Sequence, residues 1–334
     1  MPGSSAAAAI TAREVPELRA DLVAWLGDPS PRGARGRPLM KLGQAQWGHG
    51  FVDTLHTSLR AAELYYVNAD MARFAVAAST QLPSFRLTRE ELPSPHGLVV
   101  WEQPITDPPF PIDVPCWGAM WTTGRGGVGV SILAERDAHM RFLAAADPVQ
   151  GHRELTTAEK AVLRRLDPPT DLVLAGFTNM PFTEAPQWLP DAPLPTGLTP
   201  GELSREIESR TFLDQVERTL VATWLLMGQT LTRDEPVTTP KSAAKRIARM
   251  DPSLLTSTRY CTLRHQSTAP SERSDGDVLS LSYRHRWIVR GHWRNHAYGT
   301  GQALRRRIWI SPHLKGPDGA PLTDPSKLVN ILRR

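Results

Sequence analysis

Thr199-Pro200-Gly201-Glu202-Leu203 opens the stretch that decides the fold. It is followed by Ile207, Phe212, Val216, Leu220, Trp224, Met227 and Leu231, apolar residues three to five positions apart. That spacing stacks their side chains on one helical face. An N-cap threonine and a glutamate reaching back supply acceptors for the free N–H groups of a first turn, and a proline at the first helical position removes one of those donors. The pattern predicts a long helix over residues 200–231. Trp224 sits among aliphatic neighbours on its face, which assigns it to the core and not to a cofactor platform.

Toward the N-terminus the same periodicity predicts a helix over Val15 to Leu26, with Pro16 in its first turn. Val52 to Gln81 carries Leu55, Leu59, Leu64, Val67, Met71, Phe74 and Ala78 with alanines between them, and reads as one long buried helix. At Pro83 the texture changes. Leu98-Val99-Val100-Trp101, Ala119-Met120-Trp121 and Val128 to Leu133 are short apolar runs that predict strands, the last two joined across Gly124-Arg125-Gly126-Gly127. Thr156 and Glu159 form a capping box that predicts a further helix, ended by Pro168-Pro169. Leu172-Val173-Leu174 reads as a strand, and Pro181 to Pro195 as a proline-rich connector.

Beyond the long helix, Lys241, Lys245, Arg246 and Arg249 line one side of a short helical segment, a pattern equally compatible with a solvated face. Tyr260 to Leu263, Val278 to Arg294 and Arg306 to Ser311 have strand texture, and Gln266 to Asp277 reads as a polar loop. The expected fold class is α+β. A helical and small-sheet lobe occupies 1–180, a connector with the long helix and basic segment 181–252, and a C-terminal antiparallel β-sheet with a basic hairpin 253–334.

With 40% hydrophobic and 22% charged residues, the 334-residue chain has the composition of a folded globular protein. Cys116 and Cys261 show no metal-ligand spacing and read as free thiols of a reducing cytoplasm. No run approaches 18 apolar residues, so the expectation is a soluble, cytoplasmic protein with no membrane partner. There is no GxxxxGK[ST] loop, no GxGxxG opening a helix after a strand, no GxSxG elbow, no HExxH and no CxxC pair. No cofactor is expected.

Charge is segregated along the chain. Residues 1–240 hold 21 basic and 28 acidic side chains, whereas residues 241–334 hold 18 and 6. Between Tyr283 and Lys315 there are eight arginines and lysines, four histidines and three tryptophans, with no Asp or Glu. Codon usage can explain why arginine outnumbers lysine 33 to 6, but it does not strip acids from one segment. As a strand, Tyr283 to Arg294 sorts Tyr283, His285, Trp287, Val289, Gly291 and Trp293 onto a face that wants a core. Arg284, Arg286, Ile288, Arg290, His292 and Arg294 fall on the other. A second strand carrying Arg305, Arg306 and Arg307 would pair with it after Tyr298-Gly299-Thr300-Gly301.

Such a guanidinium row is tolerated when solvated, paired to acids or neutralised by a ligand. The leading expectation is weakly specific or nonspecific binding of DNA or RNA through Arg284, Arg286, Arg290, Arg294, Arg305, Arg306 and Arg307, with Trp293 available to stack on a base. One alternative is a metal-independent ribonuclease using His292, His296 or His313 as acid and base. Another is an interaction scaffold whose basic lobe pairs with its own acidic lobe or with an acidic protein partner. A zinc site is not expected, because a strand separates His292 from His296 by about 13 Å.

His285 to Arg294 with Arg307 to Pro317, and Leu92 to Trp101 upstream, resemble segments of uncharacterised proteins from GC-rich actinobacteria and their mobile elements. The resemblance covers under a fifth of the chain. It implies a lineage and a plasmid or phage setting, and it supplies no catalytic residue.

Overall fold

In chain order the computed structural model contains α1 (Val15–Gly27), α2 (Phe51–Ala61), β1 (Glu63–Val67), α3 (Ala69–Ser79), a 3-10 turn (Arg89–Glu91), β2 (His96–Trp101), β3 (Cys116–Thr123), β4 (Gly127–Glu135), α4 (Arg136–Ala145) and β5 (Leu172–Pro181). It continues with α5 (Pro200–Met227), β6 (Thr232–Thr238), α6 (Lys241–Met250), β7 (Ser257–Leu263), β8 (Trp287–Val289), β9 (His292–Tyr298), β10 (Leu304–Ile310) and β11 (His313–Lys315). The structure describes residues 10–30, 33–34, 40, 44, 48–83, 87–106, 114–145, 170–182, 196–197, 200–263, 287–289, 291–310 and 313–315. The helix expected after Thr156, the loop from Gln266 to Asp277, and Arg284, Arg286 and Arg290 lie outside the described residues.

Seven strands form one mixed sheet in the order β5-β4-β3-β2-β1-β7-β6. β1 runs parallel to both β2 and β7, and every other neighbouring pair is antiparallel. The α+β class is as expected. The sheet takes strands from all three expected segments, however, and crosses the boundaries placed near residues 180 and 252. β7, expected in a C-terminal sheet, enters the main sheet beside β1 and not a separate one.

Alternation along each strand sorts two cores. Tyr65, Val67, Val99, Trp101, Ala119, Trp121, Val130 and Ile132 face α3 and α5. Leu64, Tyr66, Leu98, Val100 and Met120 face α1 and α2. The first core is built on aromatic contacts: Trp121 stacks on Tyr65 at 5.6 Å and meets Trp224 edge-on at 5.2 Å. Each such pair adds about 0.5–1.5 kcal/mol beyond area burial. Trp224 is 2% exposed, a core residue as its helical neighbours implied.

The helix expected from Val52 to Gln81 is instead two helices separated by β1. The physical reason is at Asn68, whose side chain accepts from the Met71 N–H at 3.0 Å and caps α3, so helix starts afresh there. Just before it, Leu64, Tyr65, Tyr66 and Val67 are all buried, because both faces of this strand are covered. A run buried on both sides has no period of its own, and its apolar residues happened to continue the helical spacing. Elsewhere the periodicities hold: α1, the β3–β4 hairpin, β5, α5 and α6 form where the residues predict them. Among the described residues no helix is long and apolar enough to cross a membrane.

α6 lies against α1. Ile247 packs with Ala20 and Leu254, and Arg246 bonds Glu17 and Asp21 at 2.8 and 3.0 Å. Beneath them Arg19 is fully buried and donates to the Leu255 carbonyl at 2.6 Å, and burial lowers its pKa to about 10.

Two residues generate tests of this architecture. A Cβ on Gly97 would overlap the Trp121 indole ring, so Gly97→Ala is expected to cost about 1–3 kcal/mol in a denaturant titration. Glu217, 5% exposed on α5, accepts from the Thr178 hydroxyl of β5, and burial raises its pKa to about 7. The native protein then keeps a proton that the unfolded chain releases near 4.5, so stability should fall as pH rises from about 4.5 to about 7 and stay lower above that. Glu217→Gln should remove this slope and gain up to about 3 kcal/mol above pH 7, read from thermal unfolding across pH.

Candidate nucleic-acid interface

β9 and β10 form the expected antiparallel hairpin, closed through Gly299, which adopts φ 78°, and a 3-10 turn at Thr300–Gln302. β8 pairs with β11 at the same register offset as β9 with β10, and the described parts of the strand expected from Tyr283 to Arg294 lie in these two ladders. The register places Trp293 opposite Trp309, Asn295 opposite Arg307 and Ala297 opposite Arg305 on one face. His292 opposite Ile310, Arg294 opposite Ile308, His296 opposite Arg306 and Tyr298 opposite Leu304 make the other.

The tryptophan face is the anchor. Trp293 and Trp309 meet edge-on at 5.3 Å, Trp309 meets Phe74 of α3 at 5.6 Å, and the Trp293 Nε1–H donates to the Ala78 carbonyl at 2.9 Å. The Trp309 N–H donates to the Gln229 side chain at 3.0 Å, just past the end of α5. Arg307, on this same face, pairs with Glu91, whose carboxylate also accepts from the Thr88 N–H at 2.9 Å. Both members of that pair are more than four-fifths buried.

The arginines are therefore divided. Arg307 is sealed by a carboxylate of the body, as the internal-pairing alternative expected for the whole row. Arg294, Arg305 and Arg306 are exposed, and none has a carboxylate partner among the described residues. Arg306 lies 5.4 Å over the Tyr298 ring, and Arg305 donates to the Gln302 carbonyl at 2.7 Å. Trp293 is committed to packing and to Ala78. The exposed aromatic ring is Tyr298, beside Leu304 at the tip, a residue that reads in the sequence only as the start of a turn. Its place at the end of a strand, on the arginine side of the alternation, was the signal available.

His292 and His296 share the outer face, and four residues of strand put them about 13 Å apart. The backbone of His313 pairs with Val289 in β11, three positions beyond the pair of Ile310 with His292. His292 and His296 are thus held apart by the strand that carries them. Among the described residues no group of three or more His, Cys, Asp or Glu could hold a metal ion.

A cavity of about 260 Å³ opens beside the hairpin base, lined in part by Glu90, Glu91, Trp224, Asp234, Arg259 and Cys261. Among the described lining residues the one guanidinium, Arg259, lies 3.3 Å from Glu63 and 3.7 Å from Asp234, so their side of the mouth is acidic and disfavours phosphate. Burial pushes the Cys261 thiol up to about 12, which keeps it protonated and inert. Comparison with known proteins finds no family model, curated protein or solved structure that matches this chain.

Arg307→Ala would leave Glu91 half-satisfied in a mostly dry contact. The expected result is a loss of about 1–2 kcal/mol, between exposed and buried ion pairs. Hydrogen exchange should quicken across β9 and β10 while β1–β4 amides keep their protection.

Proposed function

We propose that the protein binds nucleic acid, with little sequence specificity, through the outer face and tip of the β9–β10 hairpin. The observation that carries the reading is the exposed Arg294 and Arg306 on the outer face, with Arg305 exposed near the tip, none with a carboxylate partner among the described residues, on a hairpin whose inner face is tied down by two tryptophans. Arg294 and Arg306 rise from neighbouring positions on one face, at a separation of roughly 5–8 Å that is comparable with successive phosphates along a strand. Guanidinium forks would bind those phosphates, releasing counterions.

Tyr298 adds a stacking surface for an unpaired base, and Arg306 is already placed over its ring. The rest of the segment, including Arg284, Arg286 and Arg290, adds positive charge N-terminal to the hairpin and no acid. This chemistry reads backbone charge and base planes and carries no hydrogen-bond code for base edges, so discrimination among sequences is expected to be small.

The test is binding of labelled single-stranded and duplex DNA and RNA across a salt series. Arg294→Ala with Arg306→Ala should weaken binding and flatten the log–log salt dependence by about 1.4 on single strands and about 1.8 on duplex. Tyr298→Ala should cost about 1–3 kcal/mol on single strands and little on duplex. Unchanged affinity and slope in the double variant would defeat the proposal.

A further inference from the structure

A second exposed cationic surface lies on α6. Lys241, Lys245 and Arg249 recur every four residues, roughly 6 Å apart along the axis, all exposed and none with a carboxylate partner among the described residues. The fourth cation of the helix, Arg246, is consumed by Glu17 and Asp21. The arrangement works against the helix itself. Lys241 stands in the first turn, where the macrodipole disfavours positive charge, the first turn holds no acid, and Pro240 offers no side-chain cap. Lys245 adds like-charge repulsion with Lys241 and Arg249.

This surface and the hairpin sit on opposite sides of the main sheet. α6 is fixed to α1, which covers the Leu64 and Tyr66 face. The hairpin is fixed to α3 and the end of α5, which cover the Tyr65 and Val67 face. The sheet and a helical layer on each side put the two cationic surfaces on the order of 20 Å apart. That exceeds the screening length of about 8 Å in physiological salt, so neither surface neutralises an anion bound at the other.

We infer that the Lys241, Lys245 and Arg249 face of α6 is a second nucleic-acid contact, and that one molecule thereby holds two strands or two segments of one strand. This rests on the reading of the hairpin as the first contact. The partner is argued from charge: regularly spaced cations with no carboxylate partner among the described residues match a repeating phosphate backbone better than a folded protein surface of mixed sign.

The experiment mixes the full chain with short single-stranded oligonucleotides bearing either a donor or an acceptor dye, and measures both energy transfer and oligonucleotides bound per chain. Wild type should bind two per chain and give transfer. Lys241→Ala with Lys245→Ala and Arg249→Ala should bind one and lose the transfer. Alanine raises helix propensity at all three positions, so circular dichroism should be unchanged.

The Arg294→Ala, Arg306→Ala variant separates the two readings. If it loses one oligonucleotide, both contacts stand. If it binds like wild type while the α6 variant loses one, the hairpin reading fails and the α6 contact stands. An α6 variant that still binds two and still gives transfer overturns the inference. So does one that loses affinity for phosphatidylserine vesicles while keeping its oligonucleotide stoichiometry.

Discussion

β1 is five residues long, and the rest of the described structure is arranged around the need to bury both its faces and pair both its edges. Leu64 and Tyr66 require the α1–α2 layer, and Tyr65 and Val67 require the α3–α5 layer. The parallel pairing on each side makes β2 and β7 its neighbours and joins the N-terminal half of the sheet to its C-terminal half. Parallel strands covered on both faces are typically uniform runs of apolar and aromatic residues, and Leu64-Tyr65-Tyr66-Val67 is such a run.

The hairpin depends on that core at one remove. Phe74 and Ala78 receive its tryptophans because α3 is held down by Met71, Ala72 and Ala75 on the sheet. The segregation of charge along the chain is only partly undone by folding. Glu91 of the acidic body neutralises Arg307, and Glu17 and Asp21 neutralise Arg246, while the remaining cations of the hairpin and of α6 keep their faces to solvent. Charge that stands exposed without a carboxylate partner among the described residues is a different observation from a basic composition, and it is the one that bears on partners.

The sequence was legible wherever turn or capping residues bound an element. α1 and α5 open on prolines in their first turns, and the apolar runs of β2 to β4 are set off by proline-rich and glycine-rich stretches, although β2, like β1, is buried on both faces. β1 was illegible for the opposite reason, although Asn68, two residues before Asp70, is a visible helix start whose cap marks where α3 begins. The placement of β7 was illegible too, since nothing local records which strand a distant one will join. At the hairpin, alternation correctly turned Trp293 inward and Arg294 outward. It could not show that Arg307 meets a carboxylate more than two hundred residues away in the chain. The acidic cavity was missed because its walls come from separate segments with no shared motif.

The β1–β7 ladder has a temporal side. Val67 faces Cys261 across roughly two hundred residues of intervening chain, whereas its β2 neighbour is made within a few dozen. On a ribosome β1 can therefore dock one edge early, but the other stays bare until translation has passed residue 263. The permanent outer strand β6 is guarded by Arg233, Asp234, Glu235 and Pro236, which discourage stray pairing; β1 has no such guards, since its finished place is interior. The nascent chain is thus most prone to self-association in that interval, and its yield in a cell should hinge on chaperones that can occupy an open, aromatic strand edge until β7 emerges.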